Sequence, residues 1–118
     1  MLLNGKDFNT AIKQLVDPSA GFGTLDNTIT KITFRKGSTD KGNIVSSSES
    51  PRTARATYNT ETREITIYVD ANKLIFPESC LCMFYFFGSV TQIDWSEFGT
   101  NIDTHNVTDM SKILWDIL

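Results

Sequence analysis

The sequence predicts an α+β fold, and three observations carry that prediction. Near the start, Phe8, Ala11, Ile12 and Leu15 recur at three- and four-residue spacing, the mark of one apolar stripe on a helix. In the middle, Ile65, Ile67 and Val69 alternate with Thr66 and Tyr68, the period of a strand with one buried face. Between these and the C-terminal third lies Cys80 to Phe87, read CLCMFYFF, too apolar to be left in water. Helix and strands are segregated along the chain, so the expected arrangement is an N-terminal helix on a small, mostly antiparallel sheet. At 118 residues the chain is a single domain, 1–118, that buries roughly two thirds of its unfolded surface and needs neither metal nor disulfide to fold.

Taken in order, the helix is expected from about Lys6 to Val16, with Asn4 and Gly5 supplying its entry and Pro18 its stop. Asp17 to Asn27, with Pro18, Gly21 and Gly23, reads as a loop. Thr28 to Arg35 reads as a strand with Ile29, Ile32 and Phe34 as its apolar members; its alternation is broken at Thr30-Lys31, as a bulge would break it, which leaves the buried face open. Lys36 to Arg52 turns polar and reads as a long exposed loop, with a short edge strand at Ile44 and Val45. A variable hairpin connection is the preferred explanation of that loop, ahead of a binding role. The hairpin follows as Ala54 to Tyr58, a turn at Asn59 to Thr62, and Glu64 to Asp70. Leu74 to Phe76 forms a further short strand, ended by Pro77.

From Ile93 onward, Ile93, Trp95, Phe98, Ile102 and Val107 are separated by turn-formers, and Met110, Ile113, Leu114 and Ile117 then fall at helical spacing. A short strand, a turn and a C-terminal helix fit this pattern, with Thr108 or Asp109 capping the helix and Val107 as its staple.

Asp103, Thr104, Asn106, Val107, Thr108, Asp109, Met110 and Ser111 match the phrase D-T-S-N-V-T-x-M-S, with His105 in place of the serine. Through it the chain resembles the BspA-like leucine-rich repeat surface proteins of gut bacteria. Leu3 to Leu15 follows a second phrase of that family, L-N-G-K-x-F-N-x-x-I-K-x-L, and Ile65 to Leu74 echoes a third, I-x-I-Y-x-D-A-x-K-I. The apolar pair before each repeat strand falls on Met83-Phe84 and, thirty residues later, on Ile113-Leu114, with Tyr85 and Trp115 in matching places. The resemblance implies a helix-plus-sheet cap over 1–79, extended over 80–118 by one to two partial leucine-rich-type units and the C-terminal helix. It also implies adhesion to a partner protein. Those proteins usually carry many repeats and a wall anchor, which this sequence does not.

Charge and composition restrict the function. A net charge of −3 without a basic stripe argues against direct nucleic-acid binding. No run approaches the length of a membrane span, and the first residues lack a secretory signal. The localisation expected is the cell surface or outside if the chain belongs to a longer protein, and the cytoplasm if it is complete.

His105 is the single histidine, so any serine, histidine and aspartate relay would run through it. Gly21 and Gly23 lack the rest of a phosphate loop, and Arg52, Arg55 and Arg63 lack aromatic interleaving. Asp94 with Glu97, or Glu61 with Glu64, are explained as exposed turn acids. Cys80 and Cys82 read as buried small hydrophobes; a zinc site with His105 lacks the usual ligand spacing. No cofactor, metal or catalytic residue is expected. The expected function is a non-enzymatic protein-binding module, with Asp94, Glu97, Asp103, His105, Asp109 and Asp116 as the partner-binding residues. The alternative is a small acidic phage or mobile-element protein that inhibits a bacterial nucleic-acid-processing defence enzyme; a structural phage component fits the same residues. Oligomeric state is open.

Overall fold

A computed structural model describes residues 1–109 of the chain. Helix α1 spans Gly5–Lys13, and Asn4 caps it: its side chain accepts from the Asp7 backbone N–H at 3.1 Å. Asp7 in the first turn and Lys13 in the last both suit the helix dipole. The helix ends three residues short of the expected Val16, because Leu15, Val16 and Asp17 donate back to Ile12 and Lys13 in tightening turns before Pro18.

The strands are β1 (Lys31–Lys36), β2 (Asn43–Ile44), β3 (Ala54–Asn59), β4 (Glu64–Val69), β5 (Leu74–Ile75), β6 (Gln92–Asp94) and β7 (Ile102–Asp103), with a 3-10 turn at Ser96–Phe98. Five of them form a sheet in the order β2-β3-β4-β1-β6, and β5 pairs with β7 apart from it. The β3–β4 hairpin lies where the alternation placed it, Tyr58 opposite Ile65 and Ala56 opposite Ile67. Its turn is closed by Asn59, whose Oδ1 accepts from the N–H groups of Glu61 and Thr62, and by Arg63 at φ 59°.

The expected architecture is corrected here in its sheet and in its C-terminus. The sheet is mixed rather than mostly antiparallel: β1 lies between β4 and β6 and runs parallel to both. Alternation specifies which face of a strand is buried and is silent on the direction of its neighbours, so the parallel centre was invisible. The C-terminal helix is withdrawn: α1 is the one α-helix among the described residues, and positions 110–118, where the periodicity put the other, lie outside them. No bulge is needed in β1. Ile32 and Phe34 alternate inward, and Ile29 belongs to the lead-in, where Asp26 Oδ1 accepts from the N–H groups of Thr28 and Ile29.

Phe8 and Ile12 of α1 meet Ile32, Phe34, Ile65, Ile67 and Ala56 in one core. Phe8 stacks on Phe34, with Phe84 edge-on to both, and Trp95 closes the group against Phe34, Phe76 and Phe84. Phe84 comes from the apolar run Cys80 to Phe87, which is a succession of turns rather than a strand, with Cys82 and Phe86 at φ 61° and 64°. Cys80, Cys82, Met83, Phe84 and Phe87 are buried, as an exposed run of this kind could not be.

Two stretches of chain run side by side in the same direction. Leu74 lies beside Ile102 and Ile75 beside Asp103, an offset of 28 residues, and Ser79 bridges to Asp109. The hydrogen bonds continue between the strands and the bridge: Phe76 N–H donates to Asp103 O, Thr108 N–H to Glu78 O and Cys80 N–H to Asp109 O. One coil of the chain is thus laid parallel on the next.

Candidate functional site

Of the acidic residues singled out for partner binding, Asp94, Glu97, Asp103 and Asp109 lie within the described residues, between β6 and the Ser79 bridge. Asp94 ends β6, and its Oδ1 accepts from the Ser96 backbone N–H at 2.9 Å. The Ser96 hydrogen bonds hold its carboxyl below the usual range, helped by the charges of Lys31 and Arg35 on the neighbouring strand. Glu97, in the 3-10 turn, accepts from the Lys36 backbone N–H through Oε1 at 2.9 Å. Asp103, on β7, accepts from both the backbone N–H and the ring of His105. Those hydrogen bonds lower its pKa, with the charges of His105 and Lys73 adding to them.

The structure therefore brings Asp103 and His105 together, and places Asp94 and Glu97 on the edge of the other sheet, beside Lys31, Arg35 and Lys36. Asp109 is half-buried and serves the Ser79 bridge. Asp116 lies outside the described residues. These acids are interleaved with base: Lys31 and Arg35 lie near Asp94, and Lys73 near Asp103.

The zinc alternative is not assembled among the described residues. Cys80 and Cys82 are free and buried, while the His105 side chain is 73% exposed. Cys80 Sγ donates to Pro77 O, and burial first, then the charge of Asp109, push its thiol up to about 11, against the thiolate a metal requires. No group of three histidine, cysteine or acidic side chains among the described residues is placed to hold a metal ion.

Comparisons with protein-family models, curated proteins and solved structures found no match. The reading of the site therefore rests on its own geometry.

Two polar residues on the buried face of α1 were missed in the sequence. Asn9 is fully buried, and its Nδ2 donates to the carbonyls of Cys82, Met83 and Tyr85 at 2.9 to 3.2 Å. Lys13, one turn on and 1% exposed, donates through Nζ to Phe22 O at 2.8 Å and Tyr85 O at 3.0 Å, with the ring of Phe87 5.0 Å away. Burial lowers the Lys13 pKa to about 8, against the opposing pull of Asp26 and Cys82. Together the two side chains satisfy carbonyls that the turns of the apolar run leave without a ladder partner. The one available signal was their spacing of four residues, which puts Asn9 and Lys13 on one side of the helix, next to Phe8 and Ile12. This pair reads as a structural clamp, because both residues spend their donors on backbone.

Proposed function

We propose that the chain is a non-enzymatic protein-binding module, resembling the capping region of BspA-like surface adhesion proteins. The observation that carries this reading is the parallel pairing of β5 with β7 and of Ser79 with Asp109, at offsets of 28 and 30 residues. Stacked parallel coils are how repeat proteins of that kind build an elongated binding surface. The phrase D-T-H-N-V-T-D falls on the outer of the two coils, where Ile102 and Val107 pack half-buried against the core.

Among the described residues, β6 and β7 each have a neighbour strand on one side only. Their free edges, carrying Asp94 and Asp103, are where a partner backbone can pair or a basic partner surface can settle.

The inhibitor reading predicts a strongly acidic face. Lys31, Arg35, Lys36 and Lys73 temper the acids instead, which favours contact by shape and backbone over electrostatic blockade. The test is affinity capture with the intact chain from host extracellular-matrix extract and, in parallel, from bacterial lysate, with retained proteins identified by mass spectrometry. Adhesion predicts retention of a matrix or cell-surface protein that survives raised salt and is lost in an Ile102→Lys, Asp103→Lys variant. Salt-sensitive retention of a bacterial nucleic-acid enzyme would replace this reading with the inhibitor one.

A further inference from the structure

A groove of about 330 Å³ lies on another part of the molecule, between the polar loop after β2 and the turn that joins β4 to β5. Its floor is apolar and built from buried side chains, Leu2, Ala54, Val69 and Leu74. Arg52 and Lys73 line the same groove from exposed positions, one from each wall.

Neither cation is spent within the described residues. The hydrogen bonds of Arg52 run through its backbone alone, to and from Ser50 Oγ, and the ion pair found among the described residues joins His105 and Asp103. Lys73 feels Asp103 at a distance without a hydrogen bond to it. Glu49 also lines the groove, as does Met1, whose N-terminal ammonium donates to Ser50 Oγ at 3.0 Å, so its charged groups leave a positive excess.

These features select a ligand. An apolar floor beneath a positive excess suits an apolar body with an anionic head, and an apolar floor gives nothing to a phosphate or other polyanion that lacks such a body. The volume is at the low end of small-molecule sites, which span about 300 to 1,000 Å³. We propose that this groove binds a small amphipathic monocarboxylate, its chain or ring on Val69 and Leu74 and its carboxylate between Arg52 and Lys73. The guanidinium offers the carboxylate a two-pronged donor and the ammonium a point charge. The polar loop, read in the sequence as a hairpin connection ahead of a binding role, acquires a role as the wall that carries Arg52.

The test is titration of the intact chain with sodium decanoate below its micellar range, followed through the backbone amide NMR signals of Ala54, Val69 and Ala71. Decanol is the uncharged control. Two variants accompany it: Arg52→Gln with Lys73→Gln removes the charges, and Thr53→Trp fills the groove from an exposed wall position. Each is checked for an unchanged amide spectrum away from the groove.

The expected result is saturable one-site binding of decanoate at those signals. Decanol should bind about tenfold more weakly or worse, the charge variant should weaken decanoate by about tenfold or more, and the tryptophan variant should abolish binding. The proposal is overturned if decanoate gives no saturable change, if the responding signals lie elsewhere, or if decanol or the charge variant matches the affinity of decanoate for the native chain.

Discussion

Lys13 makes a prediction about pH that runs opposite to the usual behaviour of a lysine in an ion pair. Its ammonium is buried with two carbonyls and a ring rather than a carboxylate, and burial lowers its pKa from 10.5 to about 8. That difference corresponds to about 3 kcal/mol of preference of the folded state for the neutral amine. Between pH 8 and 10.5 the unfolded chain holds this proton while the folded chain has released it, so stability rises with pH across the window. The penalty is complete below the lower value and gone above the upper one. Replacing Lys13 with Met removes it, together with two charge-assisted hydrogen bonds. Tyr85 O keeps its bond from Asn9, and Phe22, 36% exposed, lies where water can reach its carbonyl. The two effects nearly cancel, so near pH 7 the variant should match the native chain within about 1 kcal/mol. The difference between native and Lys13→Met should then move in favour of the native chain by about 1 kcal/mol from pH 7 to 9, and by about 1 kcal/mol more to pH 10. Cys80, whose thiol is raised to about 11 from 9.0, works the other way above pH 9, but both chains contain it and it cancels. Urea unfolding at each pH measures the difference. A difference that stays flat would show that Lys13 is not desolvated in the fold.

Three further substitutions probe the packing of α1 on the apolar run. Asn9→Leu leaves the Met83 carbonyl without the Asn9 donor and should cost about 2 kcal/mol in urea unfolding, while Asn9→Asp should cost more, since a carboxylate would face three carbonyls; equal stability of native and Asp forms would refute the clamp. Gly5→Ala would normally stiffen a helix favourably, but here an added Cβ would collide with the Leu81 carbonyl oxygen and the backbone of Cys80, so a loss of about 3 kcal/mol is expected, and a raised melting temperature would contradict the close approach.

The parts of the fold that were legible are those in which a local period decides the outcome. Ile65, Ile67 and Val69 alternate because one face of β4 is wet, and the helix stripe of Phe8 and Ile12 is buried because the opposite side is polar. What could not be read depends on distant partners. Nothing near Ile32 states that its neighbours are Ile65 on one side and Ile93 on the other, both parallel. Nothing near Lys13 states that Phe22 and Tyr85 bring it carbonyls; a lysine in the last helical turn looks like a solvated, dipole-matched end. The candidate site was found in part for the same reason. The acids of β6 and β7 were visible as acids, whereas Lys31, Arg35 and Lys73, which moderate them, come from strands and turns remote in sequence.

The clamp also bears on the surface assigned to binding. The chain leaves β5, passes through the turns of Cys80 to Phe87, and emerges as β6, which has a neighbour strand on one side only among the described residues. Few ladder bonds hold those turns, so their path is set by side chains: Asn9 and Lys13 on their carbonyls, and Phe84 among the rings of Phe8, Phe34 and Trp95. The hairpin of β3 and β4, in contrast, carries its own paired backbone. Loosening the clamp should therefore release amide exchange first in residues 82–94 and leave 54–69 protected, because local opening follows the weakest cooperative unit. The edge offered to a partner is then only as ordered as two polar side chains of α1 make it.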